Sequence, residues 1–199
     1  MIKSITLAAM MLLTTSIMAD GYKIGDSAID FTLKNVDGKM VSLAGSKDAK
    51  GFIVVFTCNH CPYAKAYEER IMSLDKKYSS QGYPVIAINP NDPNIAPDDS
   101  FEAMIDRAQE KGYTFPYLYD ETQAVAKAYG ATRTPHVFVL EKSNDKLVVR
   151  YIGAIDNNTE DADQADKKYV EDAVDALVTG KPVMVTETKA IGCTIKWRK

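Results

Sequence analysis

The chain has 199 residues, 46% of them hydrophobic and 26% charged, with a formal net charge of −3. That length and apolar content suit one globular domain with an extension better than two domains. The mildly acidic balance points to neither nucleic acid nor an anionic membrane surface as a partner, and three cysteines are too few for a disulfide-stapled scaffold.

The first residues, MIKSITLAAMMLLTTSIMAD, combine Lys3 with an apolar stretch from Ile5 to Leu13 and a small Ala19 before Asp20. This layout predicts a cleavable secretory signal over residues 1–19, ahead of a single domain over 20–199 that includes a tail at 183–199. Ile17 is a poor fit three positions before the cut, and a retained membrane anchor is the competing reading. The segment has no cysteine for a lipid. Export to the periplasm or beyond places the cysteines in an oxidising compartment, where a C-x-x-C pair is oxidised unless something keeps it reduced.

After the leader, IGDSAIDFTLKNVDGKMVSL predicts two short strands joined by an Asp37-Gly38 turn. GFIVVFT, residues 51–57, is a continuous apolar run expected of a strand buried on both faces. Ala64, Tyr67, Ile71, Leu74 and Tyr78 then recur at helical spacing, with Lys65, Glu68, Glu69, Arg70, Asp75, Lys76 and Lys77 assigned to the outer face. YPVIAIN is a second buried strand, followed by the proline-rich loop NPNDPNIAPDD. Asp99 and Glu102 have capping-box spacing and open a helix carrying Phe101, Met104, Ile105 and Ala108. FPYLYDET is a short strand or loop, and QAVAKAYG a short helix ending on Gly130. A hairpin turning at Ser143-Asn144-Asp145 precedes a last helix, closed by Gly180 and Pro182. The order predicts an α/β fold with a mixed central sheet covered by helices.

The chemistry concentrates in TCNHCPYA, residues 57–64. Cys58 lies where a buried strand gives way to a helix, so unpaired amides of the first turn and the helix dipole are expected to favour its thiolate. Thiols in C-x-x-C settings have pKa values lowered to roughly 3.5–7.5. Cys61, one turn on, is placed to resolve a mixed disulfide. His60 between them adds positive charge when protonated, which favours the dithiol and leans the pair towards an oxidant. Pro62 sits in the first turn, where a missing N–H is tolerated.

FTCNHCP, the upstream IGDSAIDFTLKNVDGKMVSL, the Thr134-Pro135 step and the tail TKAIGCTIKW together resemble the thioredoxin-fold redoxins. The nearest branch is the peroxiredoxin-like proteins, related to alkyl hydroperoxide reductase and thiol-specific antioxidant, that carry a C-x-x-C motif. The resemblance covers about residues 22–198 and implies a thioredoxin-like fold with an N-terminal β-hairpin extension. It also implies that Pro135 is cis, lies against the cysteines and lets the backbone of Thr134 present itself to a substrate polypeptide. There are departures. Thr57 stands where thioredoxins have Trp, GFIVVFT holds no buried acid to manage protons, and matching Cys61-Pro62 to the peroxidatic Cys-Pro puts Cys58 where peroxiredoxins need threonine.

These readings predict an exported thiol–disulfide oxidoreductase acting through Cys58 and Cys61, with His60, Thr134 and Pro135 in support and no dissociable cofactor. Its expected partners are substrate protein thiols or disulfides and an electron-exchanging protein, a membrane-embedded one being one option. A thiol-dependent peroxidase and a non-catalytic copper or zinc carrier using the cysteine pair are the alternatives. Only His60 and His136 are available to complete such a metal site. His136 is read first as a hydrogen-bonded histidine at a strand start. Cys193 is a candidate third redox thiol, although a small buried apolar role in AIGCTIKW is the favoured expectation. The acidic stretch DNNTEDADQAD lacks the glycine and final glutamate of a calcium loop and reads as a solvated lead-in to the last helix.

Overall fold

In chain order the structure, a computed structural model that describes residues 21–199, begins with β1 (Ser27–Ala28), β2 (Thr32–Asn35), β3 (Met40–Ser42) and β4 (Gly51–Phe56). The first helix, α1 (Pro62–Tyr78), is followed by β5 (Val85–Asn89), α2 (Phe101–Lys111), β6 (Tyr117–Tyr119) and α3 (Ala124–Tyr129). Then come β7 (Arg133–Thr134), β8 (His136–Ser143), β9 (Lys146–Gly153), α4 (Tyr169–Val178) and β10 (Cys193–Thr194). The leader expected over residues 1–19 lies outside the described residues. Among the described residues no helix is long and apolar enough to cross a membrane.

Eight of these strands form one mixed sheet in the order β1-β9-β8-β4-β5-β6-β2-β3. The β4–β5 and β5–β6 pairs are parallel, as strands joined through helices should be, and β8 returns antiparallel on the other side of β4. The expected N-terminal hairpin, β2–β3, is added at the far edge through β6. β8 and β9 are joined through Asn144 and Asp145, both at positive φ (48° and 61°), which suits the twist of a two-residue hairpin turn.

β4 is buried along its whole length because both of its faces are covered. Ile53 and Val55 face α1, α2 and α4, packing with Ile71, Leu74, Met104 and Val174. Phe52, Val54 and Phe56 face the opposite layer, with Leu118, Tyr129 and Phe138. The period of α1 is as expected, but two acids assigned to its outer face are buried. Glu68, 4% exposed, receives the Arg107 guanidinium of α2 in a fork, at 2.8 and 2.7 Å. Asp75 accepts the Val85 N–H at 3.1 Å and the Thr114 hydroxyl at 3.0 Å. Partners supplied by distant elements turned both inward.

Neither β7 nor β10 is legible as a strand from its own two residues. They pair with each other, setting Cys193 opposite Thr134, and bring the C-terminal tail against α1.

Candidate redox site

The loop between β4 and α1 carries the motif. Helix α1 begins at Pro62, and Cys61 is its N-cap, so Cys58 precedes the helix by a full loop instead of opening it. The amides of His60 and Cys61 are still directed at the Cys58 sulfur and lower its pKa. Cys58 is only 3% exposed, however, and burial outweighs those amides. Burial first, and the negative charge of Asp99 second, push the thiol up to about 11. The lowered pKa expected from the motif does not hold for this state of the protein.

The bonded pair also differs from the expected one. Cys61 is joined to Cys193, 132 residues away in sequence, and Cys58 is the free thiol. Cys193 therefore lies within the sulfur cluster, half-buried, instead of being an inert packing residue. The Thr134-Pro135 bond is cis. Thr134 touches both branches of the cluster. Its hydroxyl is 3.2 Å from Cys58 Sγ, and its carbonyl oxygen is 3.3 Å from Cys61 Sγ. The Thr134 backbone, expected to await a substrate chain, is already opposite Cys193 of the tail.

His60 reaches Cys58 with Nδ1 at 3.7 Å, while the same nitrogen lies 2.5 Å from Asp99 Oδ2. Asp99 is fully buried. Its Oδ1 accepts the backbone N–H groups of Asn59 and His60 at 2.6 and 3.1 Å, and Oδ2 accepts Asn91 Nδ2 at 2.7 Å. A carboxylate thus sits directly behind the imidazole, so positive charge on His60 is offset at its source, and the lean towards an oxidant inferred from His60 alone loses its basis.

Asp99 is the residue of this cluster that the sequence pattern conceals. Its spacing to Glu102 predicts a helix cap, but Ser100 caps α2, its side chain accepting the Ala103 N–H at 3.2 Å. The neighbouring serine at an equally good capping position was the available signal, because it released the aspartate for other work. β4 holds no acid, and the loop after β5 places the buried Asp99 carboxylate beside the motif.

His136 lies apart from this cluster, 8% exposed, with Nδ1 accepting the Thr132 N–H at 3.3 Å and its ring 4.8 Å from that of Phe138. Burial lowers its pKa to about 4. Among the described residues, Cys58, His60 and Asp99 have potential ligand atoms within 4.8 Å of one another. Cys61, spent in its bond to Cys193, cannot join Cys58 as a second thiolate in this form. The acidic stretch starts as a clamp: Asp156 Oδ1 and Oδ2 receive Arg70 Nη1 at 2.9 and 2.7 Å.

The AhpC/TSA family profile matches residues 24–152. The chain belongs to the AhpC/TSA family. The family match ends at residue 152, before Cys193 and the tail that carries it. Over 139 residues the chain is 24% identical to the thiol-disulfide oxidoreductase ResA of Halalkalibacterium halodurans, covering 70% of this chain and 74% of that protein. A second ResA, from Geobacillus thermodenitrificans, is 27% identical over 60% of this chain, and the match spans 64% of the relative's length. The crystal structure of an uncharacterized conserved protein from Geobacillus kaustophilus superposes with a TM-score of 0.81 at 39% identity, over 88% of this chain and 93% of the other. A thiol:disulfide interchange protein of the thioredoxin family from Chlorobium tepidum, at 21% identity, a TM-score of 0.56 and coverage of 72% and 95%, shares the fold. The AhpC/TSA chain therefore has the thioredoxin-like fold expected from its motifs.

Proposed function

We propose that the protein is a thiol–disulfide oxidoreductase whose entry nucleophile is Cys58 and whose resolving thiol is Cys61. The observation that carries this reading is a free cysteine and a disulfide cysteine three residues apart, both in contact with Thr134 and with His60–Asp99 behind the free one. Cys58 attacks a disulfide in a substrate protein, and Cys61 displaces the substrate from Cys58. The Thr134 hydroxyl stabilises the Cys58 sulfur, and Pro135 holds the Thr134 backbone in the site. His60 carries protons between the sulfur and its surroundings while Asp99 fixes the ring. The relatives named thiol-disulfide oxidoreductase support the reaction class. No dissociable cofactor is called for, because the electrons reside on sulfur.

The partners under this reading are substrate protein thiols and a second redox protein, embedded in the membrane, that resets the centre. Residues 1–19 act as a cleavable export signal and the remainder works in the periplasm or beyond, in keeping with the leader's composition. Insulin disulfide reduction tests the roles. Cys58→Ala is expected to abolish turnover, and Cys61→Ala to accumulate covalent complexes with substrates on Cys58. Full activity in Cys58→Ala would remove Cys58 from the reaction.

A further inference from the structure

The tail is restrained on both sides of Cys193. Upstream, the Thr188 N–H donates to the Ile152 carbonyl at 2.9 Å, and the Thr188 and Tyr151 hydroxyls meet at 2.6 Å. Downstream, the Lys196 N–H donates to Asn91 Oδ1 at 2.8 Å, and its carbonyl accepts Gln123 Nε2 at 2.8 Å. The Arg198 N–H donates to Gln123 Oε1 at 2.8 Å, while Ile195 is buried in the core. Asn91, which holds Lys196, is the same side chain that donates to Asp99 Oδ2. Cys193 is thus placed beside Cys61 by contacts independent of the bond between them, and the tail is wired to the carboxylate behind His60. Opening the disulfide leaves a third thiol in position.

We propose that Cys193 is a working member of the redox centre, which takes the disulfide over from Cys58 so that the oxidised centre comes to rest as Cys61–Cys193. This rests on Cys58 and Cys61 acting as proposed above. The Cys58 thiolate breaks the substrate disulfide, forming a mixed disulfide and releasing one substrate thiolate. Cys61 attacks the Cys58 sulfur, forming Cys58–Cys61 and releasing the other. Cys193 then attacks the Cys61 sulfur: the Cys61–Cys193 bond forms, the Cys58–Cys61 bond breaks, and Cys58 takes up the proton that Cys193 gives up. This third step moves a disulfide without net oxidation or reduction. A partner protein dithiol afterwards reduces Cys61–Cys193, itself becoming a disulfide, by attack on half-buried Cys193. Burial and Asp99 hold Cys58 protonated in the resting form, as befits the thiol left at the end of the sequence.

The test uses the full chain, fully reduced and mixed with one equivalent of oxidised glutathione, then acid-quenched at intervals, alkylated and mapped by mass spectrometry. Cys58–Cys61 is expected to rise and then give way to Cys61–Cys193, which ends in about tenfold excess. Cys193→Ser should stop at Cys58–Cys61. Gly192→Ala gives a second handle that spares every sulfur, because a Cβ there overlaps the Thr134 carbonyl and pushes the tail away. With its circular dichroism unchanged, it too should stop at Cys58–Cys61, with Cys193 alkylated. A wild-type end point of Cys58–Cys61 with free Cys193 overturns the relay alone. If Cys58→Ser consumes glutathione and forms Cys61–Cys193 as fast as wild type, the role of Cys58 falls and the relay falls with it.

Discussion

His60 Nδ1 and Asp99 Oδ2 face each other at 2.5 Å, and the carboxylate has no contact with solvent. Asp99 accepts four hydrogen bonds through its two oxygens, from Asn59, His60 twice and Asn91, so it orders the motif loop as well as the imidazole. Asp99→Ala strips the acceptor from these donors. The two on buried residues, Asn59 and Asn91, cost about 1–3 kcal/mol each when left unmade, while the two on partly exposed His60 can turn to water. The expected loss is about 3 kcal/mol in urea unfolding. Asp99→Asn, which retains an acceptor, should lose less while shifting the pH profile of Cys58 alkylation downward, because the charge that raises that thiol is gone. An unmoved profile in Asp99→Asn would show that burial alone sets it.

Cys58 in the disulfide-intact protein titrates at about 11 through burial, reinforced by Asp99. Roughly one molecule in a thousand then carries the thiolate at pH 8, since each unit below the pKa is a factor of ten. Iodoacetamide labelling of Cys58 should accelerate about tenfold per pH unit up to pH 10. A rate already level by pH 9 contradicts this account of the thiol.

The imidazole of His136 is held neutral by burial, its pKa lowered to about 4. The unfolded chain protonates this ring below its ordinary 6.5, whereas the folded chain resists until about 4. The stability it contributes is therefore complete above pH 6.5 and is lost as pH falls through 4, by roughly 3 kcal/mol at 1.36 kcal/mol per unit. His136→Asn removes the titration. Its stability relative to wild type should rise across that window as the pH is lowered, measured by chemical denaturation.

Arg70 joins α1 to the segment after β9. Besides Asp156, it donates to the Asn158 carbonyl and, at 3.0 Å, to the Thr159 carbonyl. Both charged partners are largely sequestered, so removing one strands the other, a class of change that costs about 3–5 kcal/mol. Tyr67 still donates to Asp156 at 2.9 Å, which puts Arg70→Met near the lower end. Hydrogen exchange across residues 156–160 should rise with it. Unchanged protection there would show that Tyr67 alone holds the loop.

Much of this architecture was legible because it is local. β4 and β5 announce themselves as apolar runs, α1 by its period, and the β8–β9 turn by Asn144-Asp145. The site was legible where one segment held it: Cys58, His60 and Cys61 share a single loop. What escaped depends on partners distant in sequence. Asp99 meets His60 across 39 positions, and the only local hint is Ser100 beside it, which can cap α2 in its place. Glu68 looked solvated until Arg107 arrived from another helix. Cys193 sits in a two-residue strand with no periodicity to betray its pairing with β7.

The Cys61–Cys193 bond closes a loop with a sequence separation of 132, most of the folded chain. Tying a loop of that size removes unfolded-state freedom worth about 5 kcal/mol in the chain-entropy description. Two electrons delivered to the centre therefore slacken the tether on the whole polypeptide as well as altering one bond. The melting temperature should report the oxidation state of the molecule, and a reducing environment would be registered first as heat sensitivity.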